Sequence, residues 1–274
     1  MPNATDWFCN VPLQSMPRSD CGLRDVSKMR ASISTCNVGV SIFSNLAVTR
    51  LIAQRMEPTI ALTLSTLFVA VVLAIPIGVV AAWKARKLVD RLAMGVAVLG
   101  FAMPVFVLAY VLIYFFSVQW KLLPVQGYTP LSEGFWPFVE KLILPSVALG
   151  VTYMALIARI TRASMLEVLQ QDYIRTANAK GLATNRVLLL HALKNAAVPI
   201  VTVIGIGIAL LISGVVITET VFNIPGLGRL TVDAVLKRDY PIVQGLILVF
   251  AAAKVVVNLL IDISYAFLDP RIRY

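Results

Sequence analysis

Long stretches without any charged residue divide this sequence. The first runs from Thr59 to Ala82 and a second from Leu92 to Gln119. A helix rises 1.5 Å per residue, so about 20 apolar residues cross a hydrocarbon layer about 30 Å thick. Only 14% of the 274 residues are charged, against about 25% in soluble proteins. The chain is therefore predicted to be an all-α, multi-pass membrane protein.

Five segments are predicted to span the bilayer. They cover about residues 59–82, 92–118, 140–160, 195–218 and 240–268. Pro58 is placed to start the first helix. Pro104 lies near the middle of the second, where a kink is tolerated if neighbouring helices satisfy the carbonyl that it leaves unpaired.

The ends of the chain differ from this membrane domain, which is assigned to residues 56–268. Residues 1–55 are polar and contain no apolar stretch long enough to span a bilayer or to act as a signal sequence. Residues 269–274 form a short tail. The polar N-terminal segment is therefore not expected to insert by its own hydrophobicity, and it is interpreted as altered or truncated.

Basic residues predict the direction of threading, because positively charged short loops resist export. One set of connectors, with the tail, carries twelve basic residues: Lys84, Arg86, Lys87, Arg91, Arg159, Arg162, Arg175, Lys180, Arg186, Lys194, Arg271 and Arg273. The alternate connectors carry five: Lys121, Lys141, Arg229, Lys237 and Arg238. The first set, including the C-terminus, is predicted to be cytoplasmic.

Neither a metal site nor nucleic-acid binding is indicated. Cys9, Cys21 and Cys36 are odd in number and lack the spacing of a zinc site or a disulfide framework. His191 is the only histidine. The net charge of +10 comes from short basic clusters between apolar runs, without interleaved aromatic residues. Membrane orientation explains that charge better than a nucleic-acid partner.

The longest connector on the basic side, residues 161–194, is predicted to form a helical hairpin. Its first helix is amphipathic, with apolar residues at helical spacing: Met165, Leu166, Leu169, Tyr173, Ile174 and Ala177. Gly181 is expected to stop that helix and Thr184 to cap the next one. The pattern alone fits two roles, a connector lying on anionic lipid and a docking surface for a soluble partner.

The same connector carries a family resemblance. The segments RASMLEVLQQDYIRTANAKGL and HALKNAAVPIVT resemble the EAA-type loop of ABC importer permeases, in the version found in dipeptide, oligopeptide and nickel permeases. The segments ETVFNIPGLGRL, DAVLKRDYPIVQG and NLLIDISYAFLDPRIRY agree in order and spacing, so the resemblance covers about residues 41–274. It implies the transmembrane fold of a type I ABC importer, with six spanning helices where the apolar runs predict five.

The resemblance also implies a site. In that family the EAA-type loop forms a short coupling helix that docks in a groove of the ATP-binding subunit, and a glycine allows the bend after it. The residues that correspond here are Asp172, Tyr173, Arg175, Thr176, Ala177, Lys180 and Gly181. Arg175, Thr176 and Ala177 stand where other ABC permeases have Glu-Ala-Ala. The glutamate is absent, so individual contacts are expected to differ.

The partners that the resemblance implies are a second homologous permease, two ATP-binding subunits and an external solute-binding protein, in a bacterial inner membrane. This chain has no G-x-x-x-x-G-K motif followed by Ser or Thr. It is expected to bind no cofactor itself, and ATP is expected to be used by the partner subunits. Gly226 and Gly228 are interpreted as turn residues.

Polar residues within the apolar runs give one further candidate site. Lys254 lies inside the fifth run, with Asn258 one turn away and Asp262 two turns away. An ionisable residue there is costly and suggests a pathway or an interhelical pair, although an incidental side chain facing a partner or water fits as well. The first four uncharged runs contain no carboxylate, which argues against a proton-driven carrier or an ion channel.

Small residues in the fourth run predict close helix packing. These are Gly205, Gly207, Ala209, Ser213 and Gly214. They fit contact with a second permease and contact within the chain equally well.

The function predicted from the resemblance is that of a peptide permease subunit without enzymatic activity. Nickel chelates and glutathione are alternative substrates. Because five runs are found where the family has six helices, loss of the first helix is expected, and an inactive remnant of such a permease is the alternative function.

Overall fold

The computed structural model describes residues 39–268, except for the side chains at 209, 210, 212–214 and 266–268. Within that range the regular structure is helical, apart from one isolated antiparallel bridge between Val40 and Ala47. The predicted all-α class is confirmed. The three cysteines, most of the N-terminal polar segment and the tail lie outside the described residues.

Nine helices are numbered here in chain order, between residues 39 and 268. They are α1 (Val48–Trp83), α2 (Leu88–Ala102), α3 (Val105–Leu112), α4 (Phe135–Leu169), α5 (Asp172–Ala179), α6 (Thr184–Asn195), α7 (Ala197–Val221), α8 (Leu227–Leu236) and α9 (Tyr240–Leu268). A π-helix, Ile113–Gln119, continues α3, another, Val187–Ala192, forms the middle of α6, and a 3₁₀ turn, Leu131–Glu133, precedes α4.

Three of the described helices, α1, α4 and α9, are long and apolar enough to cross a membrane. The number rises to five if each of two bent pairs counts as one span. The first pair is α2 with α3 and its π-helical continuation, bent by 104°, and the second is α6 with α7, bent by 63°. Five is the predicted number of spans, although several bounds differ from the prediction.

The first helix begins ten residues earlier than expected. Pro58 was predicted to start it, but Pro58 and Pro76 both lie inside α1. The early start has a tertiary cause, because Val48 and Ile52 are buried against apolar residues of α8 and α9. Residues 48–55, assigned above to the polar N-terminal segment, therefore form part of a packed helix.

Pro104 breaks its helix instead of kinking it. Met103 and Pro104 are both extended, with ψ angles of 129° and 138°. A residue before proline is disfavoured in the α-helical region, and proline has no N–H to continue the ladder. The predicted second span is thus two helices with a sharp change of direction.

Helix α4 lies at the centre of the described bundle and contacts α1, α2, α3 and α7. In its most apolar stretch 56% of the residues are buried within the chain, against 6% in that of α9. Gly150 allows the close approach of α1, since a Cβ there would lie 3.3 Å from Val69 Cγ1. α4 is therefore the helix on which the other elements are placed, whereas most of the described surface of α9 is exposed.

The basic connectors meet at one end of the bundle. Asp90, in the first turn of α2, pairs with Arg162 near the end of α4. Apolar residues at the ends of α1 and α4 pack with α5 and α6. We call this end, formed by residues 79–91 and 159–196, the basic end, and the end formed by residues 39–59, 120–134 and 219–242 the opposite end.

The hairpin at the basic end differs from the predicted one in two respects. Apolar spacing from Met165 to Ala177 predicted a single helix, but α4 ends at Leu169 and α5 begins at Asp172. Met165 and Ile174 still pack in the same apolar cluster, so the apolar residues on both sides of the break are buried together. Thr184 is not a cap: it is the first residue of α6, and Ala183 precedes it without a side-chain hydrogen bond.

Candidate functional site

Helix α5 is a single short amphipathic helix with defined ends. Asp172 is in its first turn, where a carboxylate is favoured by the helix dipole. Lys180 follows the last residue, and its N–H donates to the Thr176 carbonyl. Gly181 has φ +74°, in the left-handed region that glycine adopts without steric cost. The predicted end of the helix at Gly181 is confirmed to within two residues.

One face of α5 is buried within the chain. Ile174 is 2% exposed and Ala177 is 9% exposed. Both pack with Val79 of α1, Met165 of α4 and Val187 of α6. The side chain of Ala177, one of the predicted loop residues, forms part of the apolar base on which α5 rests.

The other predicted residues of the loop lie on the exposed face. Asp172, Tyr173, Arg175, Thr176, Lys180 and Gly181 are all exposed. We call these six residues the coupling surface. The arrangement is a polar surface with one aromatic ring, fixed to the chain by an apolar base.

Interactions within the coupling surface are weak. Arg175 Nη1 lies 3.3 Å from Asp172 Oδ1, and these side chains are 77% and 94% exposed. Exposed pairs of this kind contribute about 0–1 kcal/mol. The Thr176 hydroxyl donates to the Asp172 carbonyl at 3.0 Å. Arg175 and Asp172 can therefore exchange each other for the charged groups of a partner at little cost.

Two exposed leucines beside α5 were not predicted from the sequence as part of the site. Leu189 and Leu190 of α6, in the apolar run VLLL, are 60% and 59% exposed. Their neighbours Val187 and Leu188 are buried in the cluster below α5. An apolar run of four in a short helix has to point in more than one direction, and that pattern was the available signal.

Lys254 and Asn258 lie on an exposed face of α9, together with Asp262. Within residues 39–268 neither Lys254 nor Asn258 has a side-chain hydrogen bond or an ion pair. The structure places the candidate polar residues on one side of α9 and joins them to no other helix among the described residues. Lys254 is midway along α9, where a charge is hardest to solvate.

Glu219 is a buried carboxylate that the sequence analysis missed. The apolar run was ended at Thr218, but α7 continues to Val221, so Glu219 lies in its last turn. Its side chain is 0% exposed. The Thr59 hydroxyl donates to Oε1 at 2.6 Å, and the Arg229 N–H donates to Oε2 at 2.9 Å. The statement that the first four spans contain no carboxylate is therefore wrong for the helix as it folds.

Gly226 and Gly228 are required by this carboxylate. A Cβ on Gly226 would overlap the Glu219 carboxyl group, and a Cβ on Gly228 would lie 2.6 Å from Val216 Cα. Gly226 has φ −100° and ψ −175°, an extended conformation open to any residue. Their interpretation as turn residues is thus corrected, because close approach of α8 to Glu219 is the reason for glycine. The Glu219-to-Gly228 spacing in ETVFNIPGLG was the sequence signal.

Two more polar contacts tie the opposite end together. The Ser41 hydroxyl donates to Asp239 Oδ2 at 2.6 Å, and Asp239 is 2% exposed. The Tyr128 hydroxyl donates to Glu57 Oε1 at 3.1 Å. Burial, and then the bond to the Glu57 carboxylate and its negative charge, raise the pKa of Tyr128 to about 12.

The small-residue face of α7 packs inside the chain where the structure describes it. A Cβ on Gly205 would overlap the Ile261 side chain of α9, and one on Gly207 would lie 3.7 Å from Tyr153 Cδ1 of α4. The side chains of Ala209 and Ser213 and the surroundings of Gly214 lie outside the described residues. At Gly205, contact within the bundle explains the glycine.

Comparison with proteins of known sequence identifies relatives over most of the chain. The probable peptide ABC transporter permease protein y4tP of Sinorhizobium fredii is 52% identical over 238 residues, which cover 87% of this chain and 76% of that protein. The dipeptide transport system permease protein DppB of Escherichia coli K12 is 40% identical over 261 residues, covering 87% and 77%. The glutathione transport system permease protein GsiC of Escherichia coli O6:H1 is 42% identical over 238 residues, covering 87% and 75%.

Solved structures show the same fold at low sequence identity. A chain of the MetNI methionine ABC transporter in an inward-facing conformation aligns with a TM-score of 0.67 at 16% identity, covering 81% of this chain and 97% of that one. A chain of an amino acid ABC transporter aligns with a TM-score of 0.59 at 16% identity, covering 78% and 92%.

A family model settles the classification. Residues 74–274 match the family described as the binding-protein-dependent transport system inner membrane component. That range includes α5, the whole coupling surface and Glu219. The chain therefore belongs to the family of binding-protein-dependent transport system inner membrane components.

Proposed function

We propose that this chain is the transmembrane permease subunit of an ATP-driven importer for peptides. In this role it forms part of the passage, and separate subunits that bind and hydrolyse ATP dock on the coupling surface. The observation that carries the proposal is the construction of α5, whose polar face is exposed while Ile174 and Ala177 fix the helix to the membrane domain. A docking force on α5 is thereby passed to α1 and α4.

Peptides are the best-supported substrate class. Two relatives at 52% and 40% identity are named as peptide and dipeptide permeases, and a third, at 42%, as a glutathione permease. Glutathione is itself a small peptide, so these names agree in chemical class. Nickel chelates remain the alternative from the sequence, and uptake of labelled dipeptide, glutathione and nickel by cells carrying the whole gene set separates the three.

The proposed partners are a second homologous permease, two ATP-binding subunits and an external solute-binding protein. The proposed location is a bacterial inner membrane, with the basic end and the C-terminus in the cytoplasm. The charge asymmetry supports that orientation. Most of the twelve basic residues lie in the connectors that meet around α5. Anionic lipid headgroups are suitable partners for the basic side chains that the ATP-binding subunits leave uncovered.

An inactive remnant of such a permease is the alternative to a working subunit, and an uptake experiment separates the two. Uptake of peptide in the presence of this exact chain, and none in its absence, would reject the remnant.

A proton-driven carrier was disfavoured because no carboxylate was expected in the spans, and Glu219 removes that argument. The contacts of Glu219 give a different argument against a proton-driven carrier. Glu219 accepts hydrogen bonds from Thr59 and from the amide of Arg229, at the start of α8. These contacts give the carboxylate a structural role as an anchor for a helix end.

Copurification tests the proposal. The chain would be expressed with the genes for its ATP-binding subunits, and Tyr173→Ala with Arg175→Glu would be compared with the natural chain. We expect the ATP-binding subunit to copurify with the natural chain and to be lost by at least about tenfold from the variant, the effect of 1.4 kcal/mol.

A matched control is available at the opposite end of the molecule. Tyr240 is also an exposed tyrosine, 65% against 44% for Tyr173, so Tyr240→Ala removes a similar ring away from the coupling surface. It should leave the ATP-binding subunit bound. Equal retention by all three proteins would contradict docking on α5, and absence of an ATPase from the natural chain would contradict the proposed function itself.

A further inference from the structure

The pair formed by Asp90 and Arg162 has the geometry of a strong, directional contact. Arg162 Nε lies 2.5 Å from Asp90 Oδ1, and its Nη2 lies 2.7 Å from Oδ2. Two parallel bonds between a guanidinium and a carboxylate fix both distance and orientation. Asp90 Oδ2 also accepts the Arg86 N–H at 2.9 Å, so the turn between α1 and α2 is held to the same carboxylate.

The pair is shielded from water. The side chain of Asp90 is 6% exposed and that of Arg162 is 27% exposed. Screening by solvent and salt is therefore weaker here than at the surface. The other ion pair among residues 39–268, Asp172 with Arg175, is exposed and lies within α5. Asp90–Arg162 is thus the one ion pair of the described chain that joins two helices.

The pair lies beside a close contact between α1 and α4. A Cβ on Gly78 of α1 would lie 2.6 Å from Thr161 Cβ and 2.8 Å from the Ala158 carbonyl oxygen. Thr161 is the residue next to Arg162. Backbone contact between α1 and α4 and the ion pair from α2 to α4 therefore join three helices at one level of the bundle.

The base of the coupling surface rests on these same helix ends. Met165, one turn beyond Arg162, is fully buried with Val79 of α1 and Ile174 of α5. Apolar contacts of this kind are strong but non-directional. These contacts join α1, α4, α5 and α6, and the ion pair adds α2 to them through a contact of fixed orientation.

We infer that Asp90 and Arg162 are positioning residues that make the ends of α1, α2 and α4 move as one body with the coupling surface. The inference rests on the proposed function, because it concerns how movement of an ATP-binding subunit reaches the spanning helices. With the pair intact, displacement of α5 shifts all three helices together, as in other rigid-body transitions. Without it, α4 moves and α2 lags behind, so ATP hydrolysis continues while transport fails.

The test measures the ratio of peptide taken up to ATP hydrolysed, in the complete transporter reconstituted into vesicles with its solute-binding protein. Asp90→Asn keeps the size of the side chain and removes its charge. We expect the ATP-binding subunits to copurify as with the natural chain and the ratio to fall by about fivefold or more, the lower range of ordinary coupling between sites.

A second variant covers the case in which Asp90→Asn leaves Arg162 unpaired and the chain folds poorly. Asp90→Asn with Arg162→Gln removes both charges together, and the amides can still hydrogen-bond. We expect this double variant to insert, to retain the ATP-binding subunits and to show the same low ratio. Failure of the double variant to insert would show that the pair serves folding and would overturn the coupling role.

Glu167→Gln is the matched control, since Glu167 is an exposed carboxylate on α4 at the same end. Its ratio should equal that of the natural chain. A natural ratio in either Asp90 variant, with ATP-binding subunits present, overturns the inference and leaves the proposed function intact. Absence of ATP-binding subunits from the natural chain overturns both.

Discussion

Glu219 joins three parts of the chain that are far apart in sequence. Thr59 of α1 donates to its carboxylate, the Arg229 amide at the start of α8 donates to it, and the residue itself lies in the last turn of α7. The Thr59 hydroxyl oxygen in turn accepts the Leu227 N–H at 2.8 Å. The first amides of α8, which have no partners within their own helix, are thus satisfied by one glutamate and one threonine.

Replacement of Gly226 should damage this contact. Gly226→Ala places a methyl group where the Glu219 carboxylate lies, and overpacking of this kind costs about 1–3 kcal/mol. Thermal unfolding of the purified chain in detergent measures the loss. Gly95→Ala is the control, because no heavy atom lies within 4 Å of the added Cβ, and it should leave the unfolding temperature unchanged or raise it slightly. Equal temperatures for both variants would contradict the packing argument.

Tyr128 should titrate abnormally at high pH. Its pKa is raised to about 12, first by burial and then by Glu57. Because the folded pKa lies above the ordinary value of about 10, the contribution of Tyr128 to stability is fully present below pH 10 and is lost as pH rises through 12. Ultraviolet difference titration against Tyr128→Phe measures the pKa. Glu57→Gln should lower it towards 10, and a pKa already at 10 in the natural chain would contradict the contact.

For single residues, the sequence predicted the backbone conformation better than it predicted which side chains contact each other. The left-handed Gly181 followed from its place after an amphipathic helix. The burial of Glu219 within α7 could not be predicted in this way, because an apolar run stops at the first charged residue while the helix itself continues. The pairing of Asp90 with Arg162 spans 72 residues, and nothing in local spacing specifies a partner at that distance.

Among the helices, α5 divides its residues between two tasks. Ile174 and Ala177 attach it to the bundle, and the coupling surface faces outward. Eight residues are too few for a helix that is stable alone. The helix therefore depends on its buried face for its existence and on the exposed face for its proposed role.

This division predicts that substitutions on the two faces of α5 differ in their effect on the stability of the hairpin. Ile174→Ala should loosen the hairpin, since loss of a buried isoleucine costs about 2–5 kcal/mol. Limited proteolysis in membranes should then cut between residues 170 and 184 several-fold faster than in the natural chain. Thr176→Ala, on the exposed face, should be cut at the natural rate. Equal rates for the two variants would contradict the burial of Ile174.

The helices themselves were predictable to the extent that composition determines them. Long uncharged runs located α1, α4, α7 and α9, because a spanning segment must be apolar wherever lipid surrounds it. The bounds were missed where other elements decide them, as at Val48, which is buried by α8 and α9. The break at Gln170 and Gln171 was missed because apolar spacing continues through it.

For the molecule as a whole, orientation is the property that the charge distribution predicts. Single cysteines at Ser132 and Thr184, both exposed, would report it after Cys9, Cys21 and Cys36 are replaced by serine. A membrane-impermeant maleimide should label position 132 in right-side-out spheroplasts and position 184 in inside-out vesicles, because the twelve basic residues should stay inside. The reverse pattern would refute the orientation and, with it, docking of ATP-binding subunits on α5.

The two faces of α5 can change in evolution at different rates. Residues of the buried face are constrained by α1, α4 and α6 of the same chain, so a change there has to be accepted by the whole fold. Under the proposed function, residues of the coupling surface are constrained mainly by the ATP-binding subunit that docks on them. A duplicated copy of this gene could therefore acquire a new ATPase through a few substitutions on one side of an eight-residue helix, without any change in the passage through which its substrate moves.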